Sequence, residues 1–73
     1  MPKLPVVSSR DLIKYIEKKG FEYDHTTGSH HVYKSKDRLV SIPERKEVGK
    51  GLLLGILEEA GISRDDFIHE WYR

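Results

Sequence analysis

The stretch Gly28-Ser29-His30-His31-Val32-Tyr33-Lys34-Ser35-Lys36-Asp37-Arg38-Leu39-Val40-Ser41-Ile42-Pro43 decides the fold. Thr26-Thr27-Gly28-Ser29 has turn chemistry, and His30 to Ser35 then carries the β-branched and aromatic residues of a strand. Lys36-Asp37 is a tight turn, and Leu39 to Ile42 is a further strand, ended by Pro43. Upstream, Phe21-Glu22-Tyr23 alternates apolar and polar side chains as a half-buried strand does. Connections this short make the three strands an antiparallel meander.

Helical patterns flank the meander. Ser8-Ser9-Arg10-Asp11 resembles a capping box, with Ser8 placed to cap the amide of residue 11. Leu12, Ile13 and Ile16 follow at helical spacing and Gly20 is a natural stop, which predicts a helix over about 9–19. Gly49-Lys50-Gly51 introduces a second helix, with Leu52, Leu53, Ile56, Leu57 and Ala60 as its buried face and Gly61 at its end. Ser63-Arg64-Asp65-Asp66 starts a short final helix whose Phe67 and Trp71 pack on the core. The order α-β-β-β-α with an extra C-terminal helix predicts one α+β domain over 1–73. Two helices lie on one face of a three-stranded antiparallel sheet.

A chain of 73 residues builds a thin core, so a shallow surface site is expected rather than a deep cofactor pocket. The absence of cysteine excludes disulfides, thiolate zinc sites and cysteine nucleophiles. The longest apolar run, Leu52-Leu53-Leu54, falls far short of the roughly 20 residues a membrane helix needs. Met1 to Val7 holds no apolar segment long enough for a signal peptide, so a soluble, cytoplasmic protein without a membrane partner is expected. Charge is unevenly spread. In the middle of the chain Lys34, Lys36, Arg38, Arg45, Lys46 and Lys50 outnumber Asp37, Glu44 and Glu47. In the tail Glu58, Glu59, Asp65, Asp66 and Glu70 outnumber Arg64 and Arg73. A basic middle suits a polyanion, and the acidic tail a different partner.

The residues with chemistry to offer gather in the same stretch. Imidazole titrates near neutral pH, so His30, at a strand end behind a Gly-Ser turn, is the leading candidate for a general acid or base. Its bland alternative is a turn histidine bonded to its own backbone. Strand alternation gives His31 the opposite face: if Tyr33 points toward the helices, so does His31, and His30, Val32 and Lys34 point outward. If Val32 is the core residue the assignment flips; the larger apolar area of Tyr33 favours the first register. Adjacent strand histidines do not share one ion, so no metal is expected. Ser29, Lys34, Lys36, Arg38, Arg45, Lys46 and Lys50 are candidate contacts to the phosphates of a polyanion. Lys50 stands at a helix start, where free amides also favour an anion. Tyr23 and Tyr33 read as strand-face packing, with stacking on a base as the sharper alternative.

Ser8-Ser9-Arg10-Asp11-Leu12-Ile13-Lys14, Lys18-Lys19-Gly20-Phe21, Gly28-Ser29-His30-His31-Val32-Tyr33, a strand ending in Pro43, and Gly51-Leu52-Leu53-Leu54-Gly55-Ile56-Leu57-Glu58-Glu59-Ala60-Gly61-Ile62-Ser63 together resemble the HicA toxins. The resemblance runs from about Leu4 to Phe67. It implies a fold like that of a double-stranded-RNA-binding domain and an mRNA-cleaving toxin neutralised by a HicB-type antitoxin that covers the active site. It puts the catalytic histidine in the Gly-Ser-His element, on His30, with His31 as the second choice because it follows directly. Many relatives carry a histidine after the proline that ends the third strand; here Pro43-Glu44-Arg45 stands instead. The expectation is therefore a metal-independent, cofactor-free endoribonuclease acting on mRNA. The alternatives are a non-catalytic RNA-binding module and an interaction subunit that uses Trp71 and the acidic tail.

Overall fold

The computed structural model describes residues 3–72. Helix α1 spans Ser9–Lys18, strands β1, β2 and β3 span Glu22–Thr27, His30–Ser35 and Arg38–Pro43, and helices α2 and α3 span Lys50–Ala60 and Arg64–Trp71. The sheet is antiparallel in the order β1-β2-β3. The expected α+β architecture is thus observed.

Each helix begins and ends for local reasons. The Ser8 hydroxyl accepts from the Asp11 amide at 3.1 Å, and Ser63 does the same for Asp66 at 3.0 Å. Both satisfy amides that the first helical turn leaves without partners. Gly61 ends α2 at φ +74, and a Cβ there would come within 2.6 Å of the Arg38 guanidinium carbon. The left-handed backbone is what favours glycine there, since the Arg38 side chain can move aside.

The core lies between one face of the sheet and the helices. Leu12, Tyr15 and Ile16 of α1 and Leu53, Ile56, Leu57 and Ala60 of α2 meet Tyr33, Val40 and Ile42. Leu52, read from sequence as part of the buried face of α2, is exposed. The buried positions 53, 56, 57 and 60 form a complete stripe at helical spacing, and residue 52 falls one step off it. Tyr15 joins the core through an edge-to-face contact with Phe67 at 4.9 Å, and Trp71 packs beside both rings. Phe67 is wholly buried. Truncating such a side chain costs about 3–5 kcal/mol, so α3 is integral to the fold.

β1 is longer than expected. Thr26 and Thr27, read as turn residues, pair with His31 and His30, and the turn contracts to Gly28-Ser29. Gly28 at φ +60 supplies the conformation a two-residue hairpin loop needs at its first position. The register slips between Tyr23 and His25, so Asp24 is a bulge. The bulge breaks strict alternation and puts Tyr23 and Thr26 on the same face, the one that carries Tyr33 and His31.

On the far side of α1, the Tyr15 hydroxyl donates to Glu70 Oε1 at 2.5 Å and Lys19 Nζ lies 3.0 Å from Glu70 Oε2. The hydroxyl first, and then the ammonium, hold the Glu70 carboxyl below its ordinary range. Tyr15 is pushed up, by burial first and then by this bond. A lowered carboxyl pKa contributes stability that is complete above the unfolded-state value and lost as pH falls through the folded-state value. Glu70→Gln therefore melts at a lower temperature than wild type at pH 7, and the gap closes on acidification through the carboxylate range. Thermal melts followed by circular dichroism across pH 2–7 check this.

Candidate functional site

The N-terminus of α1, the start of β2 and the loop after β3 meet at one place, and a buried hydroxyl joins them. Ser9 is 4% exposed. Its Oγ lies 2.5 Å from the Pro43 carbonyl oxygen, to which it donates, and accepts from the Arg45 amide at 2.6 Å; its own amide donates to the Arg45 carbonyl at 3.0 Å. The Glu44 amide donates to the Ser29 carbonyl at 2.8 Å, which ties the same loop to the first hairpin turn. Val7 and Val48, both buried, form an isolated bridge that fixes the loop's far end. The segment 44–48 is thus pinned at both ends although it has no regular structure.

The pinned loop and α1 enclose a cleft of about 730 Å³. Arg10 and Lys14 line it from successive turns of α1, Arg45 and Lys46 from the loop, and His31 from the sheet. Glu44 and Glu17 are the acidic lining residues. Ile13 is only partly buried and forms part of the apolar floor.

His31 is the best-anchored imidazole. Its Nε2 is 3.0 Å from Glu44 Oε1 and its Nδ1 is 3.1 Å from Thr26 Oγ1. The Thr26 hydroxyl lies in turn 2.7 Å from the Tyr23 hydroxyl. An ionised carboxylate only accepts, so Nε2 carries the proton and, in the neutral ring, Nδ1 accepts from Thr26. Tyr23 then donates to Thr26, and the chain Tyr23–Thr26–His31–Glu44 runs in a single donor direction. Such a carboxylate–imidazole pair orients the ring for proton transfer.

Tyr33 is buried, so the register that puts His31 on the helix side holds. His30 is exposed, and alternation sends its ring to the opposite face of the sheet, away from the cleft. The other sequence candidates divide. Arg45 and Lys46 line the cleft with His31, whereas Lys34 and Lys36 line a second cleft at the other end of β1. Ser29 takes part through its backbone carbonyl. Arg38 lies against the C-terminal end of α2, with Nη1 3.4 Å from the Glu59 carbonyl oxygen. Lys50, in the first turn of α2, is exposed and lines neither cleft.

Sequence reasoning missed Arg10, Lys14, Glu44 and Thr26. The i, i+4 spacing of Arg10 and Lys14 beside the helix cap was a usable signal. The roles of Glu44 and Thr26 depend on the pinned loop and the bulge. Among the described residues no three His, Asp or Glu side chains converge as a metal site, and no described helix is long and apolar enough to cross a membrane.

Replacing Ser9 by alanine leaves the Arg45 amide and the Pro43 carbonyl without a buried partner, a cost of about 1–3 kcal/mol. Urea denaturation should show a lower midpoint with an unchanged slope.

Comparison with curated proteins returns no match. Residues 9–62 match the family described as HicA toxin of bacterial toxin-antitoxin, and that span takes in α1, the whole sheet, the pinned loop and α2. The chain therefore belongs to the HicA toxin family, the toxin components of toxin–antitoxin pairs.

Proposed function

We propose that the chain is a metal-independent endoribonuclease that cleaves mRNA in the cleft between α1 and the loop after β3. The observation that carries this reading is the His31 imidazole, held by Glu44 and Thr26 in a cleft lined by Arg10, Lys14, Arg45 and Lys46. The basic side chains suit a phosphodiester backbone, and phosphate contacts carry little sequence information, so base preference is low.

In the reaction, a ribose 2′-hydroxyl takes the place of Thr26 at His31 Nδ1. The ring accepts its proton while Glu44 stabilises the imidazolium. The 2′-oxygen attacks the adjacent phosphorus, the bond to the 5′-oxygen breaks, and the proton passes to that departing oxygen. The products are a 2′,3′-cyclic phosphate and a free 5′-hydroxyl. Arg10, Lys14, Arg45 and Lys46 stabilise the charge on the phosphorane. A HicB-type antitoxin neutralises the toxin by covering this cleft, and the site of action is the cytoplasm, where mRNA is found.

A second reading gives the proton transfer to His30. Its exposure and its place in the Gly28-Ser29-His30 element favour it. On that reading the phosphate lies on the open face of the sheet, near Thr27 and Pro43, the cross-strand neighbours of His30.

Purified protein incubated with RNA in EDTA separates the readings. His31→Ala loses cleavage by about 10²–10⁴-fold, the usual worth of a positioned acid–base group, while RNA binding persists. His30→Ala stays within a few-fold of wild type. The reverse pattern transfers the role to His30. Wild type that retards RNA on a gel but leaves its length unchanged is a binding module.

A further inference from the structure

We propose that Tyr23 is a stacking platform for an unpaired nucleobase beside the scissile phosphate, so that the substrate is single-stranded RNA laid across the edge of the sheet. The inference rests on the ribonuclease reading and adds to it the strandedness of the substrate and the path it takes.

Tyr23 is 56% exposed, unusual for a residue paired directly opposite a buried tyrosine. β1 is an edge strand, and the two helices that cover the sheet pack on β3. The Tyr23 ring is nevertheless held twice. Its hydroxyl bonds to Thr26 at 2.7 Å, and its ring meets Tyr33 edge-on, with centroids 5.7 Å apart and planes at 72°. An exposed aromatic ring already fixed in orientation gives up little freedom when a base stacks on it.

Its position in the wall of a second cleft, along the sheet edge from the first, gives the platform a strand to serve. The cleft with Arg10, Lys14 and His31 lies at one end of β1. Tyr23 itself lines the second, of about 660 Å³, with Lys34 and Lys36 and with the acidic Glu22 and Asp24. Neither lysine forms an ion pair among the described residues. His31, Tyr33 and Tyr23 share the helix-side face and Lys34 the opposite one; the second cleft, lined by both Tyr23 and Lys34, opens across the edge of the sheet, and the Tyr23–Thr26–His31 hydrogen bonds run toward it from the first. A backbone gripped at both clefts passes over Tyr23. Stacking requires a base free of its pairing partner, which a duplex does not offer.

Three versions of the full chain test this: wild type, Tyr23→Phe and Tyr23→Leu. The leucine variant keeps apolar bulk at an exposed position, and thermal melts verify its fold. The probes are a single-stranded oligoribonucleotide with 2′-O-methyl groups, which cannot be cleaved, its duplex, and the unmodified strand for kinetics. The expected result is about tenfold weaker single-strand binding for Tyr23→Leu, a KM raised in proportion, a much smaller loss for Tyr23→Phe, whose ring keeps its edge-on contact with Tyr33, and duplex binding unaltered in both. Equal single-strand affinity in wild type and Tyr23→Leu overturns the platform while leaving the ribonuclease intact. Equal losses in Tyr23→Phe and Tyr23→Leu overturn it too, because the hydroxyl and not the ring face then carries the effect. A wild type that neither binds nor cleaves the single strand removes the ribonuclease reading itself.

Discussion

The Ser9 hydroxyl decides where the loop after β3 goes. Leaving the sheet at Pro43, the chain has no further strand to pair with, and its polar backbone groups need partners. Ser9 supplies them from a buried position at the first turn of α1, donating to Pro43 and accepting from Arg45. With those bonds made, Glu44 reaches His31 and Arg45 faces Lys14 and Arg10 across a cleft. The arrangement of charge at the candidate site therefore follows from satisfying two backbone groups. It requires no deep core, which a chain of this length cannot build.

The second constraint is the bulge at Asp24. In a regular strand, residues 23 and 26 would face opposite sides. One extra residue brings them to the same side, and a tyrosine, a threonine, a histidine and a glutamate join in one hydrogen-bonded row. Because the helices lie over β3, that row emerges at the uncovered edge of the sheet, where a polymer can reach it. Local backbone irregularity at the edge strand thus sets what the site presents, while the regular part of the sheet only supports it.

Much of the fold was legible in the sequence because its signals are local. Ser8 and Ser63 cap their helices as read, Gly20 and Gly61 end theirs, and β2 spans the six residues the pattern marked. The preference for Tyr33 over Val32 as the core residue put His31 on the helix side. What was not legible depends on long-range geometry. The bulge, the extra length of β1 and the exposure of Leu52 reflect pairing and helix rotation, which no short window contains. Ser9 read only as part of a cap, yet its partners lie 34 and 36 residues away. Charge counting grouped Lys34, Lys36, Arg38, Arg45, Lys46 and Lys50 as one basic region; the fold distributes them over two clefts and both ends of α2.

The central claim is that RNA enters the cleft between α1 and the pinned loop and meets His31 there. The most direct measurement is an NMR titration of the histidine ring resonances of wild-type protein with a non-cleavable 2′-O-methyl oligonucleotide, at two salt concentrations. The account predicts that the His31 ring shifts together with the amides of Arg10, Lys14 and Arg45, that His69 on α3 stays still, and that the shifts weaken at high salt. Shifts confined to the His30 ring and the open face of the sheet, with His31 and α1 unmoved, would contradict it.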